Sequence, residues 1–125
     1  MKYFCLVYLD EATFAPMSDY EKGLHINEAL DNDDALRRSG NWVFANALEA
    51  PSAAISVRVR DGRLSTTDGP FAETKEHLSG FIVIEARDLN DAVRIAGNIP
   101  MARQGTIEVR PVRVLQRMPV EGDAA

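Results

Sequence analysis

Tyr3-Phe4-Cys5-Leu6-Val7-Tyr8-Leu9 is an unbroken run of apolar and aromatic residues close to the start of the chain. Its β-forming composition reads as a strand, and its lack of polar alternation asks for a strand buried on both faces. The run is too short to cross a bilayer. It ends in Asp10-Glu11 rather than in a small-residue cleavage site, so it reads as the first strand of a cytoplasmic protein and not as a signal peptide.

Outward from this strand, Ser18 begins a helix. Glu21, three residues on, completes a capping box, and Gly40 after Arg37-Arg38-Ser39 is a natural stop. Ile26, Ala29, Leu30 and Leu36 share one arc of this helix, but Lys22, Asp33 and Arg37 intrude on it. Gly23 and the run Asp31-Asn32-Asp33-Asp34 weaken the helix further and predict a kink or break near Asp31. Trp42 to Leu48 reads as the second strand, and Pro51-Ser52 as a turn. Ile55, Val57 and Val59 then alternate with Ser56, Arg58 and Arg60, and Asp61-Gly62 is a two-residue hairpin signal before a return strand over 63–67.

After a polar, irregular segment from Asp68 to His77 comes a strand from Leu78 to Ala86. Asp88 caps a second helix whose expected apolar stripe is Leu89, Ala92, Val93 and Ala96, ended by Gly97-Asn98-Ile99-Pro100. Thr106 to Leu115 is the last strand, with a bulge or sheet edge expected at Pro111. Residues 1–115 form one domain, and 116–125 read as a flexible tail.

The order is β-α-β, a hairpin, then β-α-β. This is an α+β fold, the ferredoxin-like βαββαβ arrangement with an inserted β-hairpin. Two helices cover one face of a four-stranded sheet, yet the first strand asks for cover on both. A second copy of the chain is the simplest cover, so a homodimer with two facing sheets enclosing a pocket is expected.

The 125 residues suit a single domain, and 46% hydrophobic with 26% charged residues is ordinary for a globular one. A net charge of -5 without a basic block argues against nucleic acid as a partner. No membrane association is expected. The lone Cys5 excludes an internal disulfide, and no His/Cys/Asp/Glu spacing suggests a metal. Phosphate-cradling glycine loops and nucleophile elbows are absent from the sequence, and no cofactor is expected.

Thr67-Asp68-Gly69-Pro70-Phe71-Ala72-Glu73-Thr74-Lys75-Glu76 is the most distinctive segment. It resembles the signature of the DGPF-domain family, which is related to the YCII-like proteins. Lys2-Tyr3, Val59-Arg60-Asp61-Gly62, Leu78-Ser79-Gly80-Phe81 and Glu108-Val109-Arg110-Pro111 extend the resemblance from Met1 to about Val114. The resemblance implies a dimeric α/β-barrel and a bacterial setting beside extracytoplasmic-function sigma factors. Some YCII-like relatives are small-molecule enzymes, a dehydrochlorinase among them, that use a His–Asp pair. Asp68 matches the acid of the signature. His25 lies on the first helix, as such a pair requires, although counting back from Arg38-Ser39-Gly40 places the family's position at Ala29.

Each candidate also has a plainer role. Asp68 either orients a histidine or caps a short helix over 72–76. His25 and His77 are rival proton carriers, and a surface histidine paired with Glu21 or Glu28 is the commoner outcome for His25. Phe71 is expected to anchor its loop in the core and to wall a pocket. Glu73 and Lys75 are candidate substrate contacts, with solvated loop charges as the alternative. Tyr8 is positioned to reach the enclosed pocket.

Two functions follow. One is a cofactor-free acid–base enzyme of lyase, isomerase or dehydrochlorinase type, acting on a small cyclic or aromatic molecule. The other is a non-catalytic module that binds a ligand or a partner such as a sigma factor.

Overall fold

The computed structural model describes residues 1–120. The chain folds as β1 (Lys2–Leu9), α1 (Glu11–Phe14), α2 (Asp19–Ser39), β2 (Trp42–Ala47), β3 (Ile55–Arg60), β4 (Arg63–Asp68), β5 (His77–Glu85), α3 (Leu89–Gly97) and β6 (Thr106–Pro111). Short 3₁₀ turns at Pro51–Ala53 and Pro100–Arg103 complete it. The main sheet has the order β2-β5-β1-β6 with every neighbouring pair antiparallel. With β3 and β4 set aside as a separate hairpin, this is the ferredoxin-like α+β arrangement.

β1 lies between β5 and β6, so both of its edges are paired. Tyr3, Cys5 and Val7 are buried. Tyr3 and Cys5 share a core with Leu36 of α2, Ala92, Ile95 and Ala96 of α3, and Ile82 and Ile84 of β5. Phe4, Leu6 and Tyr8 alternate onto the opposite face, where Leu6 and Tyr8 are half-buried and Phe4 is 36% exposed. The two-faced apolar character of this strand is therefore only half satisfied within one chain.

α2 starts as expected: the Glu21 backbone N–H donates to the Ser18 hydroxyl at 3.1 Å. It stops at Gly40, whose left-handed backbone ends the hydrogen-bond ladder. The expected kink near Asp31 is absent. The helix runs unbroken for 21 residues, because the acidic run is carried on side chains that reach solvent or the cavity beneath the helix without interrupting the ladder. Only Leu36 of those residues is buried. α1 was not anticipated; Asp10 caps it by accepting from the Ala12 N–H at 3.0 Å.

α3 is capped by Asp88, which accepts from the Asp91 N–H at 2.9 Å. Its apolar stripe is rotated from the expected one. Leu89 and Val93 are more than half exposed, while Ala92, Ile95, Ala96 and the following Ile99 are buried. Both stripes share the two alanines, and the larger Ile95 and Ile99 decide which side turns inward.

β6 ends at Pro111 rather than at Leu115. It is an edge strand, where a residue without an N–H is tolerated. The hairpin turns through Asp61 (φ 52°) and Gly62 (φ 71°), the two left-handed residues of a type I′ turn. Asp68 closes the hairpin by pairing with Ile55. The short helix over 72–76 does not form, so Asp68 has no helix to cap. Of the expected tail, 116–120 carry no helix or strand and are exposed, and 121–125 lie outside the described residues.

Candidate functional site

The side chains singled out from the sequence fall into two separate places. Tyr8, Phe71 and His77 border an open groove of about 530 Å³ where the hairpin joins the main sheet. His25 borders a different cavity, of about 620 Å³, between α2 and the sheet. Asp68, Glu73 and Lys75 line neither.

The groove owes its shape to the signature segment. Gly69 takes a φ of 93°, a conformation that favours glycine, and its N–H donates to the Ala54 carbonyl at 2.7 Å. The Ser56 hydroxyl donates to the Gly69 carbonyl at 2.9 Å. These two bonds clamp the base of the hairpin. Glu76 accepts from the Thr106 hydroxyl at 2.8 Å and ties the end of the segment to β6. Phe71 does not anchor the loop in the core: it is 83% exposed on the rim of the groove. Among the described residues no hydrogen bond joins Asp68 to His25 or His77.

The cavity beneath α2 is of a different chemical kind. Val7, Leu9, Ala45, Ile82 and Ile99 supply apolar wall from the sheet and the segment after α3. All the titratable groups of the wall come from α2: Lys22, His25, Asp33 and Arg37. At 3.6 residues per turn, positions 22, 25, 26, 29, 33 and 36 lie on one face of the helix, so the charges that spoiled its apolar arc are the ones that border the cavity. The middle of that face is Ala29, whose small side chain leaves the gap open.

His25 stands edge-on to Phe14, with ring centroids 5.6 Å apart and an interplanar angle of 81°. Its Nδ1 is buried and has no hydrogen-bond partner, and neither does the buried Nδ2 of Asn32. Buried polar atoms without partners are rare, and each calls for an explanation such as a ligand. Burial raises the pKa of Asp33; nearby Arg37 lowers it and Asp34 raises it again. Arg37 is held in place by a 2.8 Å bond to Asp34 and lies 4.1 Å over the Trp42 ring. Among the described residues, no three His, Cys, Asp or Glu side chains gather as a metal centre.

Of the polar residues that border this cavity, His25 was singled out from the sequence, while Lys22, Asn32 and Asp33 were not. For Lys22 and Asp33 the signal was present as charge on the cavity face of α2, and it read as a defect of the helix. Elsewhere, no helix among the described residues is long and apolar enough to cross a membrane.

The YCII-related domain matches residues 1–116. An uncharacterized protein of Rhizobium meliloti (strain 1021) is 32% identical over 114 residues, covering 90% of this chain and 92% of the relative. The match spans both the helix that carries the cavity and the hairpin that carries the signature segment, and the chain belongs to the YCII-related domain family.

Proposed function

We propose that the protein binds a small cyclic or aromatic molecule in the cavity beneath α2 and performs cofactor-free acid–base chemistry on it, of lyase, isomerase or dehydrochlorinase type. The observation that carries this reading is the buried, unpartnered Nδ1 of His25 in a cavity of about 620 Å³, a size typical of small-molecule sites. Histidine exchanges protons near neutral pH. Asp33, with its pKa raised by burial, is a second proton-exchanging group on the same helix face. The eight-residue step from His25 to Asp33 places them ~12 Å apart along the helix axis, so they act at opposite ends of a ligand and not as a contacting pair.

The test is deuterium exchange. Small cyclic acids and ketones that shift the Trp42 indole signal are incubated with the protein in D₂O. A catalyst replaces an acidic C–H by C–D in the wild type and loses that activity in His25→Ala. Binding without exchange rejects the catalytic reading and leaves a ligand-binding module.

The working unit of this reading is a homodimer, joined through the open sheet face of Phe4, Leu6, Phe44 and Phe81. The Phe81 ring lies 5.9 Å from that of Phe4 and 5.8 Å from that of Phe44. In such a dimer a second chain would roof the groove of Tyr8, Phe71 and His77.

A second reading, a partner-binding module, is favoured by one feature of the hairpin. Ile55, Val57, Val59 and Leu64 present an apolar face that is 57–69% exposed. A lone hairpin with an uncovered apolar face calls for a partner. A sigma factor is the partner that the resemblance of the signature segment implies.

A further inference from the structure

The charges of the cavity wall are sorted along its length. Lys22 and His25 stand toward the N-terminal end of α2, and Lys22 makes no ion pair among the described residues. Asn32 and Asp33 stand seven and eight residues beyond His25, ~10–12 Å farther along the axis. Ala29 separates the two groups, and the facing wall of Val7, Ile82 and Ile99 is apolar. At the far end Arg37 is already engaged by Asp34, and Asp33 adds negative charge there. An anion is therefore favoured at the Lys22 end and repelled at the Asp33 end. The buried Nδ2 of Asn32, a donor without a partner, asks for an acceptor, and beside Asp33 an uncharged oxygen is favoured over an anion.

Resting on the reading of this cavity as the ligand site, we propose that its ligand is an elongated, ring-bodied carboxylate with a hydroxyl or keto oxygen at the opposite end. The carboxylate pairs with Lys22 and accepts from His25, the ring lies over Ala29, and the far oxygen meets Asn32 and Asp33. Lys22 and Asn32 are the residues that select the ligand at its two ends.

The experiment uses three probes on the full chain: 4-hydroxycinnamate, its methyl ester, and cinnamate, which lacks the ring hydroxyl. Calorimetry measures affinity, and the His25 imidazole and Trp42 indole NMR signals report where binding occurs. 4-Hydroxycinnamate is expected to shift both signals and to bind about tenfold more tightly than either analogue. Lys22→Met is expected to abolish the preference for acid over ester, and Asn32→Leu the preference for the hydroxylated ring. Circular dichroism checks that both variants fold. Equal binding of all three probes with shifts at His25 and Trp42 overturns the ligand class while leaving the cavity as a binding site. Absence of shifts at both residues with every probe overturns the ligand class and the cavity reading together.

Discussion

Asp33 occupies the wall of the cavity at the expense of stability. Burial raises its pKa above the ordinary carboxylate value of ~3.9, so the native state holds the proton more tightly than the unfolded chain does. Stability then falls as pH rises from that value through the raised one. Asp33→Asn is expected to melt above the wild type at pH 7, with the advantage vanishing below pH ~4; thermal unfolding across pH checks this. A gain in stability on removing a charge is what a binding residue, rather than a structural one, gives. Cys5 makes the opposite case. It is fully buried, and burial pushes its thiol up to about 11. A thiol-specific reagent is expected to leave it untouched in the native protein and to modify it fully in denaturant. Its inert character was legible in the sequence, because Cys5 lies within a run of apolar neighbours. The role of Asp33 was not, because whether a helical charge faces solvent or sheet depends on how the helix is set down.

At the level of elements, both long helices are held by short polar devices at their N-termini. For α2 the device is the Ser18 hydroxyl, and Ser18→Ala is expected to cost ~1 kcal/mol. Calorimetry should show a midpoint lower by several degrees. For α3 it is Asp91, a buried carboxylate that accepts from the Arg87 N–H at 3.0 Å and from Arg94 Nη2 at 2.8 Å. The Arg87 backbone bond and the two guanidiniums hold its pKa well below the usual carboxylate range. Its contribution is complete above pH ~4 and is lost as pH falls below that. Asp91→Asn is expected to lower the melting temperature at pH 7 and to converge on the wild type in acid. Both caps were visible as Ser-x-x-Glu and Asp-x-x-Asp spacings. The rotation of the apolar stripe of α3 was not, because two stripes sharing Ala92 and Ala96 are equally periodic. The choice between them rests on which one meets Tyr3, Cys5 and Ile84.

For the whole molecule, the unresolved force is the sheet face left open by a single layer of helices. Aromatic rings on that face lose water contact only if something covers them. In sedimentation the protein is expected to run at about twice the 13.8 kDa of one chain. Phe81→Lys is expected to reduce it to one, since a charge in such an interface is left without a partner. A wild type that sediments as a monomer removes the second copy as the cover of this face. Val57→Lys on the hairpin leaves the sheet face intact, so comparing the two variants tells which apolar surface joins the chains.

The sequence by itself determined the order of the six strands and the two longer helices, the type I′ turn at Asp61-Gly62, the caps at Ser18 and Asp88, and the family. All of these depend on neighbours within a few residues, whose chemistry is the same before and after folding. Tertiary structure alone decided that Asp68 and His25 lie apart, that Phe71 faces out, and that Lys22, His25, Asp33 and Arg37 of α2 border a cavity. Those facts depend on where one element lands against another. That placement is set by the burial of Leu36, Ile95 and Ile99 against the sheet, a sum over distant contacts that no local pattern of residues records.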